Sequence, residues 1–564
     1  MNRSRARSPR TGSRTVRATV ATVLSALTLF VIAVTPGMVA SGTALALVRL
    51  PLDAVVALVV LAFLPWRRVR RIVASLVAVL FVLAAISAAL DRAFTATVGQ
   101  PFDVVSGWPE LMDGYGVVRD AAGPFGALGI LGLLIVVSAG AVVAVTAALL
   151  HLAEGVRRGR KASLLGASTA IAGWLVIALV GVQLVPGEPL AASDSVTTAA
   201  AKLDQVEVAA RDQAAFEGAA ASDPYAHLPA SDLLTGLKGK DVIVAFIESY
   251  GQVAVQNTSF SSGVDAVLRR GDAQLAAHGY SERSAFLTSS TFGGISWLAH
   301  STLQSGLWVD SQQRYEELTS SDRFTLSDAF GKAGWQTLSD VPSDTGPWPV
   351  GSSFYHFGSQ LNAKNVGYRG PAFSYARIPD QYTWSYFQQH ELSKPHQPLM
   401  AEIDLVSSHT PWTPLPQQVP WTAVGDGSIY DTQPAQGLPP SVVWQDARHV
   451  QQLYAQSIEY TMSTLFSFLT TFDDPNLVVI VLGDHQPAAV VSGTAANYDV
   501  PISIIAKDPA VIDSISSWKW QPGMLPSPTA PVWRMDAFRN RFLDAYGRSS
   551  SSNRTICSSS SCSP

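Results

Sequence analysis

The sequence predicts a protein in two parts, an N-terminal α-helical bundle of five membrane spans followed by an α/β domain outside the membrane. Three observations predict it. The first third holds apolar runs with few charges, each near the ~20 residues that cross a bilayer. The short loops between these runs are basic at alternate ends. Beyond Lys240, unbroken apolar strands alternate with helical segments, the pattern of a sheet covered on both faces.

The expected spans are 19–34, 43–64, 72–90, 126–150 and 163–185, within a membrane domain of residues 1–186. Arg49, Pro51 and Asp53 interrupt the second. Arg49 and Asp53 stand four apart, so either they pair or the span begins later. A cleaved signal peptide is the rival reading of the first run, but no small-x-small site precedes a soluble domain and further spans follow. The start of the chain, 66-WRRVRR-71 and 155-GVRRGRK-161 are basic, whereas the stretch 91–124 carries several acids. The N-terminus is therefore expected in the cytoplasm, and everything beyond Pro186 outside, in a multi-pass protein of the cell membrane. The net charge of −4 conceals this division and excludes no partner by itself; no nucleic-acid partner is expected.

Residues 187–239 form a linker whose part 196-VTTAAAKLDQVEVAARDQAAFEGAA-220 reads as a juxtamembrane helix. The catalytic domain is expected at 240–547, and 548–564 as a flexible Ser-rich tail. That tail carries the two cysteines, Cys557 and Cys562, at a spacing that is no metal or redox motif; outside the cell they suit a local disulfide or none.

Three strands of the outer domain end in chemically active residues. The segment 241-DVIVAFIESYG-251 ends in Glu248, 400-MAEIDLVSSHTPW-412 in His409, and 477-LVVIVLGDHQP-487 in Asp484 and His485. Ligands of open parallel sheets bind beyond the carboxyl ends of strands, where all four of these groups fall. An acid and an imidazole after a buried strand are costly unless something pairs with them. A divalent metal satisfies both, and Glu248 adds a second carboxylate, a donor set suited to Mn²⁺ or Zn²⁺.

The stretch 290-STFGGISWLAHSTLQSGLW-308 supplies the nucleophile. Gly293 and Gly294 let the backbone approach an anion, and a helix starting near Ser296 aims its free N–H groups and positive dipole end at the same point. A serine hydroxyl beside a divalent metal is an activated nucleophile. The alternative is that Ser296 is an ordinary helix N-cap. His300, one turn on, faces the same way and is expected to contact a phosphate oxygen, or else to be a hydrogen-bonded structural histidine. His409 is expected to hydrogen-bond a leaving or acceptor oxygen.

With these motifs in place, the chain resembles the lipoteichoic acid synthase branch of the alkaline phosphatase/sulfatase superfamily, which includes phosphoglycerol and phosphoethanolamine transferases. The resemblance covers residues 18–547 and lies in a strand ending in Glu-Ser, Gly-x-Ser opening a helix, Ser-x-His-x-Pro, and Gly-Asp-His. It implies five spans, a helical linker and an extracytoplasmic alkaline phosphatase/sulfatase-like domain. It also implies that Glu248, Asp484, His485 and Ser296 hold one divalent metal, Mn²⁺ with Mg²⁺ and Zn²⁺ as alternatives, that Ser296 is the nucleophile, and that His409 contacts the substrate phosphate.

The sequence departs from the family at the nucleophile, where the synthases have threonine. Thr291 competes for the role, but the family's small residue and glycine some ten positions on match Ser305-Gly306 counted from Ser296. The Arg and Trp that hold glycerol phosphate in the synthases have no clear counterpart in 346-GPWPVGSSFYHFGSQLN-362, where Trp348, Tyr355 and His356 are the candidates.

The expected reaction is phosphotransfer. A phosphatidylglycerol-like lipid donates its head-group phosphate through a covalent phosphoserine to an envelope polymer or glycolipid, with membrane lipids as the surroundings. Hydrolysis by the same covalent step is the alternative, and a catalytically silent envelope-binding protein the other. A sulfatase is disfavoured because 296-SWLAH-300 lacks the Pro and Arg of its modification motif.

Overall fold

A computed structural model describes residues 10–548 apart from 187, 257, 374 and 494. The tail 549–564, with Cys557 and Cys562, lies outside the described residues. The chain divides into two compact units, one of residues 1–95 and 100–211, the other of 96–99 and 212–564.

The first unit is helical: α1 (Arg10–Ser41), α2 (Leu52–Phe63), α3 (Arg67–Val98), α4 (Trp108–Arg158), α5 (Arg160–Val180) and the start of α6 (Asp194–Ala220). Among the described residues, three helical stretches are long and apolar enough to cross a membrane: Val16–Ser41, Arg67–Val98 and Gly123–Arg158. Leu52–Phe63 and Thr169–Val180 are shorter apolar helices, where the sequence led us to expect two further full spans. The helix α2 begins only after Pro51, and Arg49 does not pair with Asp53. Arg49 instead meets Asp194 at 3.0 Å, and Asp53 accepts hydrogen bonds from the Ala54 and Ser195 amides at 2.9 and 3.1 Å. The four-residue spacing fails because Arg49 lies before the helix, where i,i+4 geometry does not apply.

The second unit is built on a nine-stranded sheet. In chain order its strands are β1 (Asp241–Ile247), β2 (Ser281–Thr288), β3 (Gln336–Val341), β4 (Ser359–Asn362), β5 (Leu399–Leu405), β6 (Leu477–Gly483), β7 (Asp499–Ala506), β8 (Gln521–Pro522) and β9 (Val532–Arg534). The order across the sheet is β8-β2-β7-β6-β1-β5-β3-β4, with β9 also on β2. The central strands β6, β1, β5 and β3 run parallel, and β7 alone reverses between β6 and β2. Two reversals cancel, so β2 ends at the same edge as β1, β5 and β6.

Both sheet faces are covered, which is why the strands read as unbroken apolar runs. Ile243, Ala245 and Ile247 join one core with α7 (Ser261–Ala277) and the long helix of Ala447–Phe472. Val242, Val244 and Phe246 join the other, with α8 (Ser296–Ser305) and the helix of Asp536–Tyr546. Strand β5 breaks the rule on that second face: after Met400 it presents Glu402 and Asp404, both polar, toward a buried layer.

Candidate active site

The registers Ile247↔Gly483 and Ile247↔Leu405 align the ends of β6, β1 and β5, so the residues that follow emerge side by side. After β1 the chain turns sharply, with Ser249 at φ 58°. The Ser249 amide donates to Asp484 Oδ1 at 2.8 Å, tying the turn to the end of β6. Gly483 permits this approach, since a Cβ there would lie 2.0 Å from the Tyr250 carbonyl oxygen. Gly483→Ala is therefore expected to cost about 1–3 kcal/mol through overpacking against backbone. A thermal melt of the full-length protein in detergent checks this, and an unchanged melt contradicts it.

The segment that carries Ser296 starts from β2, a strand that our sequence reading did not pick out. Its run 281-SERSAFLT-288 is polar at the start, but the apolar stretch before Thr288 was the available signal. Gly293 at φ 72°, Gly294 at φ 159° and Ile295 at φ 64° then turn the chain into α8. Left-handed backbone at a β-branched residue is strained, and such strain persists where surrounding contacts impose it. Here the Gly293 amide donates to the Gln486 carbonyl at 2.9 Å, fastening the loop beside His485.

Ser296 is the first helical residue and does not act as N-cap. Ile295 takes that position, and no side chain caps the helix. The Ser296 hydroxyl instead donates to Glu248 Oε2 at 3.1 Å and lies 3.2 Å from His485 Nε2. Thr291 is fully buried and donates to the Gly294 carbonyl at 2.7 Å, so its hydroxyl is spent within the loop.

Glu248, Asp484 and His485 bring their ligand atoms within 4.8 Å of one another. His485 Nε2 is 3.4 Å from Glu248 and 3.5 Å from Asp484. Its Nδ1 donates to the Gln486 carbonyl at 2.8 Å, which orients Nε2 toward the two carboxylates. Burial works against charge on His485, yet Asp484 and Glu248 raise its pKa to about 9. Burial and the Glu248 charge push Asp484 up to about 6. Burial also opposes the Glu248 charge, but His409 and His485 hold its pKa well below the usual carboxylate range. The hydroxyl of Ser408 donates to the Glu248 carbonyl at 2.6 Å and braces the same turn.

His409 stacks on Tyr375 with ring centroids 3.7 Å apart and planes 14° apart, and its Nδ1 faces the Thr410 carbonyl at 2.5 Å. Tyr375 is 54% exposed and had no motif to announce it. His300 stacks on Phe246 at 3.8 Å. Its Nδ1 lies 3.2 Å from Glu402 and 3.6 Å from Asp404, a second cluster that the sequence reading did not assemble. The alternation of acids along β5 was the missed signal.

The expected wall of Trp348, Tyr355 and His356 does not form as one surface. Trp348 lines a cavity with Pro347, Gln360, Asn362 and Lys364. Tyr355 is buried at 2% exposure and leaves no face for a ligand. His356 turns to Asp328 at 2.7 Å. Trp348, Tyr355 and Phe357 pack on one another, with ring centroids 5.4, 5.9 and 6.3 Å apart, whereas His356, at φ 52°, faces Asp328 instead.

No family model and no curated protein matches the chain. It is similar in structure to a number of solved proteins, three of them as follows. One is the integral membrane lipooligosaccharide phosphoethanolamine transferase A from Neisseria meningitidis, at 12% identity over 93% of this chain and 95% of that one, with a TM-score of 0.46. Another is the lipoteichoic acid synthase LtaP from Listeria monocytogenes, at 13% identity over 60% and 78%, with a TM-score of 0.36. The third is the phosphoglycerol transferase GacH from Streptococcus pyogenes, solved with sn-glycerol-1-phosphate, at 13% identity over 60% and 91%, with a TM-score of 0.33. At these values any assignment of chemistry rests on the site's own residues.

Proposed function

We propose that the protein is a membrane-bound, metal-dependent phosphotransferase. Ser296 attacks the head-group phosphate of a lipid such as phosphatidylglycerol and releases diacylglycerol. The phosphoglycerol-like group stays on Ser296 as a covalent ester until a hydroxyl of an envelope polymer or glycolipid takes it. The observation that carries this reading is the Ser296 hydroxyl, 3.1 Å from Glu248 and 3.2 Å from His485 at the uncapped start of α8.

The donor set fits a divalent cation: two carboxylates, an imidazole Nε2 oriented by the hydrogen bond of its other nitrogen, and a hydroxyl. Glu248, Ser296, Asp484 and His485 would hold it, with Mn²⁺ preferred over Mg²⁺ and Zn²⁺. Such an ion supplies a lowered pKa for the serine hydroxyl and charge neutralisation at the phosphoryl group. The chain's own groups do the rest. The free N–H groups of α8 face the phosphate oxygens, and His300 and His409 contact the same group. Trp348, on its cavity, is the remaining candidate for the head group.

In this reading the two shorter apolar helices complete five spans, the N-terminus is cytoplasmic, and the α/β unit lies outside, tethered to the leaflet that supplies the donor. The basic loops 66–71 and 155–161 support that orientation. Diacylglycerol release from labelled phosphatidylglycerol, by the full-length protein in detergent with Mn²⁺, tests the reaction. Wild type and Thr291→Ala are expected to release it to within a few-fold of each other, and Ser296→Ala not at all. Release by Ser296→Ala, or its loss in Thr291→Ala alone, contradicts the assignment.

A further inference from the structure

His300 lies one turn along α8 from Ser296 and, with Glu402 and Asp404, forms a group apart from that of Glu248, Asp484 and His485. His300 is four residues after Ser296 on α8, so the two share a helix face. Its ring is fixed from three sides: Phe246 of β1 stacks on it at 3.8 Å, and Glu402 and Asp404 of β5 take its Nδ1 at 3.2 and 3.6 Å. Glu402 is 5% exposed, and the buried Gln304 amide donates to its other oxygen, Oε2. Gln304 is held in turn by the Ser327 amide at 3.0 Å. Among the described residues, His300 Nε2 makes no hydrogen bond. An imidazole whose only task was to seat two carboxylates has no need of a second nitrogen left free in a site for anions.

We propose that His300, oriented by Glu402, is the proton carrier of the transfer reaction, acting through Nε2. The proposal deepens the phosphotransferase reading and rests on it. In the first half-reaction Ser296 Oγ bonds to phosphorus and the phosphorus–oxygen bond to the lipid breaks. The Nε2 proton passes to the departing oxygen, and the Ser296 proton leaves along its hydrogen bond to Glu248 and on to solvent. In the second half the acceptor hydroxyl gives its proton to Nε2 as its oxygen bonds to phosphorus. The Ser296 ester then breaks, and the serine regains a proton from solvent. Acid first and base second, His300 ends each cycle as it began. Burial opposes charge on this histidine, but Asp404 and Glu402 raise its pKa to about 9, which suits an acid that starts protonated.

The test compares two donors with the full-length protein in detergent: phosphatidylglycerol, whose leaving alkoxide needs a proton, and bis-p-nitrophenyl phosphate, whose leaving phenolate does not. His300→Gln is expected to lose about 10²–10⁴-fold more on phosphatidylglycerol than on the aryl ester, which loses only the phosphate contact that both donors share. Glu402→Gln is expected to follow the same split more weakly. Aryl-ester cleavage retained by the variants shows that they are folded. Equal losses on both donors, or no loss on either, overturn the proposal. A wild-type protein that carries two metal ions per chain, with one lost in His300→Gln, overturns it in favour of a metal-binding role. A wild type that cleaves neither donor removes the phosphotransferase reading itself, and the proton carrier falls with it.

Discussion

Full-length protein treated with EDTA is expected to lose donor cleavage by at least about 10³-fold and to regain it with Mn²⁺, because a metal at a phosphoryl group is worth several kcal/mol. The reason lies in the charges. Glu248, Asp484, Glu402 and Asp404 crowd one end of the sheet, close enough that Asp404 is pushed up to about 7 by burial, with Glu402, Asp484 and Glu248 adding to it against His300. An anionic phosphate entering such a site is repelled unless a cation meets it. Asp484→Asn removes the carboxylate whose Oδ1 also orders the Ser249 amide at 2.8 Å and the His485 amide at 2.7 Å. That variant is expected to bind little metal and not to be rescued at the Mn²⁺ concentration that restores wild type. Metal content and diacylglycerol release, measured on the same samples, check both statements. Activity that survives EDTA contradicts them.

The second large effect is on stability. Asp223 is 9% exposed and lies 3.1 Å from Arg323 and 2.7 Å from Arg539, which is fully buried. Both arginines also donate to the Ser305 carbonyl at the end of α8, at 3.0 and 2.7 Å, so this ion cluster anchors the helix that begins with Ser296. Burial and the neighbouring Arg539 hold Arg323 below the usual guanidinium range, at about 10. Asp223→Ala leaves two buried cations facing each other without their shared anion. A loss of about 3–5 kcal/mol is expected, the range for breaking a buried pair from one side. Thermal unfolding of the full-length protein in detergent measures it, and a shift no larger than that of a surface substitution contradicts it. Arg323→Met/Asp223→Leu is expected to recover part of the loss, because it removes both a charge and its partner.

The sequence made the strand ends legible because β1, β5 and β6 are buried on both faces and each stops at a residue that has no place in a core. Glu248, His409 and the Asp484-His485 pair stood out for that reason. Ser296 was legible through its glycines, although the strained Ile295 that sets its direction was not. What escaped the reading depends on pairing across distance. Strand β2 begins with polar residues and is joined to the parallel strands through the reversed strand β7, which no local pattern reports. Glu402 and Asp404 lie in plain view in 400-MAEIDL-405, but only the sheet register and α8 bring His300 to them. Tyr375 becomes part of the site only by stacking on His409. The aromatic run near Trp348 misled for the opposite reason: Trp348, Tyr355 and His356 were taken as one surface, but Tyr355 is buried against Trp348 and Phe357 and His356 faces Asp328.

The central claim is that Ser296 carries the phosphoryl group. Full-length protein incubated with phosphatidylglycerol and Mn²⁺, without added acceptor, then quenched in acid, digested and sequenced by mass spectrometry, tests it most directly. The account predicts a phosphoglycerol adduct on the peptide containing 296-SWLAH-300, assigned to Ser296 and absent from Ser296→Ala. An adduct on Thr291, or release of diacylglycerol with no adduct on any serine or threonine under single-turnover conditions, would contradict it.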